Sequence, residues 1–321
     1  MPQYIALRDT PFTTEQDEAL ASIIRSGGYE PIFMAGDETP NGFPWDECVA
    51  LMGAFSKDCI SMMPRLRWIQ MAWAGVDSLR GAVYPGPDTV LCNASGGYGP
   101  VIAEYLLGAA LMLLHNFDAY IRAQGRREWE RIGVTRSLYG GTVVVIGLGD
   151  IGGRFARYAK ALGATVLGVR RTRNAPPEGV DELIPYGQLI DALPRADVVA
   201  MTLPATDETA GLFSARHVAA MKPDAVFLNT GRGVTVDEDA LIRALSSRSI
   251  AGAVLDVVRT EPLPRDNPLW TLDNVVITPH ISGRMDDPTN AMLIYQIFED
   301  NLQRFLNGQP LRNVVDRARG Y

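Results

Sequence analysis

The run Thr142-Val143-Val144-Val145-Ile146-Gly147-Leu148-Gly149-Asp150-Ile151-Gly152 decides how this chain folds. Residues 142–146 are β-branched throughout, as a short strand buried on both faces requires, and the glycines that follow open a helix. Ile151, Phe155, Ala156, Ala159 and Leu162 then share one helical face, and Gly163 stands where a helix stops. A second apolar run at residues 164–169 completes strand, helix and strand. Further runs at 198–203, 225–229, 252–256 and 275–278 repeat the pattern. They are apolar almost without interruption, which predicts a doubly wound parallel sheet with helices on both faces and right-handed crossovers.

Outward from that core, residues 101–116 form a helical candidate preceded by the glycine-rich segment 94–100, a hinge. Upstream, 3–7, 67–71 and 90–93 read as strands of a second, smaller α/β unit. A last helical stretch covers about 286–307, and 310–315 is placed to return to the small unit. The expected organisation is therefore a small domain of residues 1–97, a larger domain of 98–285 inserted after it, and a tail of 286–321 rejoining the first. No fixed-period repeat suggests a solenoid.

Composition agrees with an ordinary globular chain. Its 321 residues are 47% hydrophobic, with 31 Gly and 21 Pro, which excludes disordered, collagen-like and low-complexity classes. Thirty basic against 37 acidic side chains leave a net charge of -7, a poor match for nucleic acid. All basic residues except Lys57, Lys160 and Lys222 are arginine, so one arginine taken alone carries little information. No apolar run reaches the roughly 20 residues of a membrane span, and no secretory signal is visible at the start. Cys48, Cys59 and Cys92 lack CxxC spacing and read as reduced thiols, pointing to the cytoplasm.

Gly147, Gly149 and Gly152 make a GxGxxG between a strand and a helix. The first glycine permits the tight turn, the second lets backbone approach a pyrophosphate at the helix N-terminus, and the third allows close helix packing, so a dinucleotide is the expected ligand. About 20 residues further on, where an acid grips a free ribose 2'-hydroxyl, Arg170, Arg171 and Arg173 stand instead, and NADP is expected ahead of NAD. An S-adenosyl-type methyltransferase is the weakest reading, because that acid is missing.

Ligands of open parallel sheets bind beyond the carboxyl ends of the strands, which selects Arg232, Glu261 and His280. Hydride arriving at a carbonyl carbon creates an alkoxide that needs a proton, and a histidine held protonated by a carboxylate is the natural donor, so His280 with Glu261 suits the task. A guanidinium orients and polarises a keto acid through paired donors, the role for Arg232. His115 and His217 fall within helical stretches and read as structural. Scattered histidines without paired cysteines argue against zinc, and no metal is expected.

The chain resembles the D-2-hydroxyacid dehydrogenase family over nearly its whole length. The motifs are the glycine loop, Leu203-Pro204, Asn229-Thr230-Gly231-Arg232-Gly233 with Val236-Asp237-Glu238, Leu255-Asp256-Val257 leading to Glu261-Pro262-Leu263-Pro264, and Thr278-Pro279-His280. The resemblance implies a Rossmann domain inserted into a smaller flavodoxin-like substrate domain. It implies Arg232 on the keto acid, His280 as acid/base tuned by Glu261, and Asp256 beside the nicotinamide. Implied coenzyme contacts come from Gly147, Gly149, Asp150, Ile151, Gly152, Arg170, Arg171, Thr172, Leu203, Pro204, Thr209, Thr230, Gly231, Asp256, Ser282 and Gly283. Trp73, Ala74, Gly75 and Val76 resemble the substrate loop, with the Ala74, Gly75 and Val76 amides as carboxylate donors, and Tyr98 is a further cleft candidate.

Glu261, where formate dehydrogenases of this superfamily carry glutamine, disfavours formate as substrate. With so short a stretch after the last helix, the regulatory domain of many phosphoglycerate dehydrogenases is not expected. The expected activity is reduction of a 2-keto acid to a D-2-hydroxy acid by NADPH or NADH. The alternative is a dinucleotide-sensing scaffold of the corepressor type. The resemblance also implies a homodimer formed through the larger domain, with residues 101–116 read equally as an apolar docking surface or a buried core helix.

Overall fold

A computed structural model describes residues 2–36, 42–171, 175–317 and 319–320. The chain divides into two compact units, one of Met1–Tyr98 with Arg284–Tyr321 and the other of Gly99–Gly283. They are called unit 1 and unit 2 below.

Unit 1 is built on a five-stranded parallel sheet in the order β2-β1-β3-β4-β5, where β1 is Tyr4–Arg8, β2 Glu30–Met34, β3 Cys48–Gly53, β4 Trp68–Met71 and β5 Val90–Cys92. That order, with the first strand between the second and third, is the flavodoxin-like winding. Leu51, Ile69, Met71 and Leu91 form its core together with Val315 from the far end of the chain. The C-terminal helix Pro288–Leu306 is started by Asp287, whose carboxylate accepts from the Thr289 and Asn290 amides. Asn301, buried on that helix, donates to Gln70 Oε1 on β4 at 2.7 Å. Beyond the helix, Val315 N donates to Leu91 O and Asn93 N to Asn313 O. The tail thus returns to the edge of the sheet it left.

Unit 2 holds seven parallel strands in the order β12-β11-β10-β9-β6-β7-β8. Here β6 is Thr142–Ile146, β7 Thr165–Arg170, β8 Glu182–Pro185, β9 Val198–Met201, β10 Val226–Asn229, β11 Gly252–Leu255 and β12 Val275–Ile277. The first strand, β6, sits inside the sheet with β7 and β8 on one side and β9 to β12 on the other, so the strand order reverses beside β6. Alternation along β6 sends Val144 and Ile146 into one core and Val143 and Val145 into the other. Both faces are covered, which explains why these strands read as unbroken apolar runs.

The helix Gly99–Leu114 packs Ala103, Leu106, Ala110 and Leu114 into the second of those cores, so most of its apolar surface belongs to unit 2 itself. No single helix among the described residues is long and apolar enough to cross a membrane. Strands β2, β3 and β8 are additions to the sequence reading. β2 carries Pro31 and is half exposed, and β8 is a short edge strand, so neither shows the apolar run that marked the others. β3 is wholly buried, but its Ala, Leu and Met are as much at home in a helix.

Candidate active site

The glycine loop follows β6 at the reversal of strand order. Gly147 has φ of +97°, and a Cβ there would lie 2.9 Å from both Leu203 Cδ2 and Thr202 Oγ1. Thr202 Oγ1 donates to the Gly147 carbonyl at 2.9 Å, joining the loop after β9 to the loop after β6. A Cβ on Gly152 would come within 1.9 Å of the Gly147 carbonyl oxygen, so this helix can approach the turn only with glycine there. The helix Asp150–Ala161 begins at Gly149 with no side-chain cap, and its first amides are left to an outside acceptor. Above Gly149 an added Cβ would meet nothing within 4 Å. Asp150 is turned to Arg154, at 2.8 Å, which offsets its charge near this anion-seeking end.

Thr230, just past β10, adds a second observation: its hydroxyl is buried and has no partner among the described residues. Open space at Gly149, uncapped helix amides and an orphaned hydroxyl on a neighbouring strand end together fit a dinucleotide. At the end of β7, Arg170 donates to Ala175 O at 3.3 Å, and Arg171 pairs with Glu208 at 2.9 Å while remaining partly exposed. Thr172 and Arg173 lie outside the described residues. Thr209 is buried, and its hydroxyl serves the turn itself, donating to Pro204 O at 2.6 Å and accepting from Thr206 N at 2.8 Å.

Arg232, Glu261 and His280 follow β10, β11 and β12, and the main chain joins their loops in series. Asp256 N donates to Asn229 O, and His280 N donates to Asp256 O at 2.9 Å. Gly233 lies so close to Val258 that a Cβ would be 2.0 Å from its carbonyl carbon, which seats the Arg232 loop against the Glu261 loop. Asn229 Oδ1 accepts from Gly231 N, shaping the turn before Arg232, and the Arg232 carbonyl accepts from Thr235 Oγ1 at 2.6 Å. The Arg232 Nη1 donates to Gly231 O at 2.8 Å.

Glu261 Oε1 accepts from Val258 N at 3.1 Å, and Glu261 Oε2 meets His280 Nδ1 at 2.8 Å. Both side chains are partly exposed, at 47% for His280 and 38% for Glu261. With Nδ1 donating to the carboxylate, Nε2 is the ring nitrogen left to exchange a proton with a substrate oxygen. His280 has φ of +53°, a left-handed conformation that costs a non-glycine residue about 1–2 kcal/mol. Strain of that kind persists where surrounding bonds over-determine it.

Asp256 supplies those bonds. It is 2% exposed, and its carboxylate takes four donors: Thr278 Oγ1 at 2.6 Å and Ile281 N at 2.8 Å on Oδ1, Ser282 N at 3.0 Å and Ser282 Oγ at 2.5 Å on Oδ2. Four donors fill the acceptor capacity of a carboxylate. The turn after β12 is therefore wrapped around Asp256, whose oxygens hold the backbone on which His280 stands. Ser282 is committed to Asp256, and Gly283 ends the turn half-buried. The sequence reading missed Tyr105, whose hydroxyl meets Thr278 Oγ1 at 2.6 Å.

In unit 1, residues 72–76 follow β4. Their carbonyls are anchored one after another: Ala72 O accepts from Tyr98 Oη at 2.6 Å, Trp73 O from Ala94 N, and Ala74 O from Asn93 Nδ2 at 2.8 Å. The Ala74, Gly75 and Val76 amides have no partner among the described residues. Consecutive free amides make an anion-receiving nest. Tyr98 is buried with its hydroxyl given to Ala72, and burial pushes its phenol well above the usual range, so it braces this loop rather than facing a ligand. Trp73 is 37% exposed.

The remaining histidines are structural. His217 is buried, its Nδ1 3.1 Å from Ser214 N at a helix start, and burial lowers its pKa. His115 packs on Phe117. Among the described residues no cluster of acidic, histidine and cysteine side chains has the makings of a metal site.

Residues 107–282 match the family described as D-isomer specific 2-hydroxyacid dehydrogenase, NAD binding domain. A glyoxylate reductase of Thermococcus gammatolerans is 33% identical over 270 residues, covering 79% of this chain and 77% of that one. A D-isomer specific 2-hydroxyacid dehydrogenase of Xanthobacter autotrophicus, solved with NADPH and MES, superposes with a TM-score of 0.85 at 31% identity over the full length of both chains. An NADPH-dependent glyoxylate/hydroxypyruvate reductase of Sinorhizobium meliloti, solved with NADP and sulfate, gives 0.84 at 27% identity, covering 99% of this chain and 100% of that one.

Proposed function

Because the chain belongs to the D-isomer specific 2-hydroxyacid dehydrogenase family, whose members are NAD(P)-dependent oxidoreductases, we propose that it reduces a 2-keto acid of the glyoxylate or hydroxypyruvate kind to the D-2-hydroxy acid. The observation that carries this reading is the 2.8 Å pair of His280 Nδ1 and Glu261 at the carboxyl edge of the sheet that bears the glycine loop. When bound, the reduced nicotinamide supplies hydride to the carbonyl carbon.

Every other part of the step falls to the protein. Arg232 offers a planar, permanently charged donor pair to the keto acid, polarising its carbonyl and favouring the oxygen's developing negative charge. His280 delivers the proton from Nε2 to that oxygen, while Glu261 holds Nδ1–H and so fixes the ring's orientation. Asp256 holds the backbone turn on which the imidazole stands. The free amides of Ala74, Gly75 and Val76 receive a carboxylate.

NADPH is the preferred coenzyme. Arg170 and Arg171 at the end of β7 support this, as do the NADP and NADPH complexes of the two structural relatives. Residues 98–285 act as the coenzyme domain, and 1–97 with 286–321 as the substrate domain. The protein works as a homodimer in the cytoplasm. Three unpaired thiols suit a reducing compartment, and Trp129, Val134 and Tyr139 in unit 2 are apolar and strongly exposed, as a subunit contact requires.

The test is loss of the reduced nicotinamide absorbance with a panel of 2-keto acids, run with NADPH and NADH, in the wild type and His280→Ala. Turnover in the wild type, faster with NADPH and abolished in the variant, supports the reading. Coenzyme binding without turnover across the panel contradicts it and favours the scaffold. Equal rates in the two proteins remove His280 from the mechanism.

A further inference from the structure

Tyr105 stands two turns into the helix Gly99–Leu114 and is 173 residues from its partner Thr278. A threonine hydroxyl has one hydrogen, and Thr278 donates it to Asp256 Oδ1 at 2.6 Å. The hydrogen in the 2.6 Å contact between Tyr105 Oη and Thr278 Oγ1 must then come from Tyr105. Burial pushes the Tyr105 phenol up to about 12, so it keeps that hydrogen at any working pH.

The result is a one-way chain. Tyr105 donates to Thr278, Thr278 donates to Asp256, and Asp256 then accepts the Ile281 and Ser282 amides that close the turn around His280. Hydrogen bonds in such a series polarise and strengthen one another in a low-dielectric interior. Without the tyrosine hydrogen, the Thr278 oxygen loses its donor and its hydroxyl is free to rotate away from Asp256.

We infer that Tyr105 is a positioning residue for His280, acting through Thr278 and Asp256 to hold the catalytic turn in its left-handed conformation. The inference rests on His280 being the acid/base, but its test includes a readout that needs no turnover. Amide hydrogen exchange is followed in the intact wild type and in Tyr105→Phe, Thr278→Val and Thr278→Ser.

Loss of one buried hydrogen bond predicts exchange up to about tenfold faster at Ile281 and Ser282 in Tyr105→Phe and Thr278→Val. Amides of β6 should keep the wild-type rate. Thr278→Ser, which retains the hydroxyl, should restore the wild-type rate at both positions. Where the wild type turns over a keto acid, kcat should fall in step with the faster exchange while KM for NADPH stays within about twofold. Combining Tyr105→Phe with Thr278→Val should add nothing, because both cut the same chain.

Unchanged exchange at Ile281 and Ser282 in Tyr105→Phe would overturn the inference. So would a uniform rise that includes β6, which would mark a packing role. A wild type that turns over no keto acid sinks the proposed function instead, and the exchange rates still judge Tyr105.

Discussion

Two regions at the ends of parallel strands in this molecule present opposite parts of the polypeptide. Beyond β10, β11 and β12 of unit 2, main-chain hydrogen bonds join one loop to the next, and the candidate chemistry lies in side chains: a guanidinium, a carboxylate and an imidazole. At residues 72–76 of unit 1 the carbonyls are tied down, and three backbone amides are what remain. The first arrangement depends on residue identity at each position, and the second on the shape of the loop. Substitution should therefore be costly where side chains act. In the main-chain loop the costly changes should lie in the residues that brace it.

Among the substitutions that test this contrast, the largest effect is expected at Arg232. Arg232→Lys keeps the charge and loses the planar fork, and should lower kcat/KM for the keto acid about 10²–10³-fold with coenzyme affinity preserved. Steady-state kinetics alongside a coenzyme titration check it, and a loss under threefold would mean that charge alone suffices. An intermediate effect is expected at Asn93, which lies outside the loop and donates to the Ala74 carbonyl. Asn93→Ala should raise KM for the keto acid up to about tenfold and leave kcat nearly unchanged. The smallest belongs to Trp73, inside the loop but exposed. Trp73→Ala should change KM by no more than about twofold. If Trp73 proves more damaging than Asn93, the indole itself binds substrate and the contrast between the loops fails.

The same contrast explains what could be read from the sequence. The glycine loop, Arg232, Glu261 and His280 were legible because their chemistry resides in residue type and their positions at strand ends follow from apolar runs in unit 2. The strands β6, β7 and β9 to β12 stood out because helices cover both sheet faces, whereas β2 and β8 lie at exposed edges and β3 is equally good helix material.

Asp256 illustrates the opposite case. A carboxylate at a strand end looks the same in sequence whatever it bonds, and the four donors by which Asp256 holds the turn come together only on folding. Tyr105 left no local signal, since a hydroxyl on an aliphatic helix becomes meaningful only when folding brings Thr278 to it. Tyr98 and Thr209 sat in the right neighbourhoods, and their hydroxyls turned out to brace loops.

The central claim, that the His280 and Glu261 pair delivers the proton, is tested most directly by a crystal structure with NADPH and oxamate bound. His280 Nε2 is expected at about 3 Å from the oxygen standing for the substrate carbonyl, with Nδ1 still on Glu261 and Arg232 within hydrogen-bond reach of the same ligand. An imidazole turned into bulk water, or an oxamate whose carbonyl is met by neither His280 nor Arg232, would contradict it.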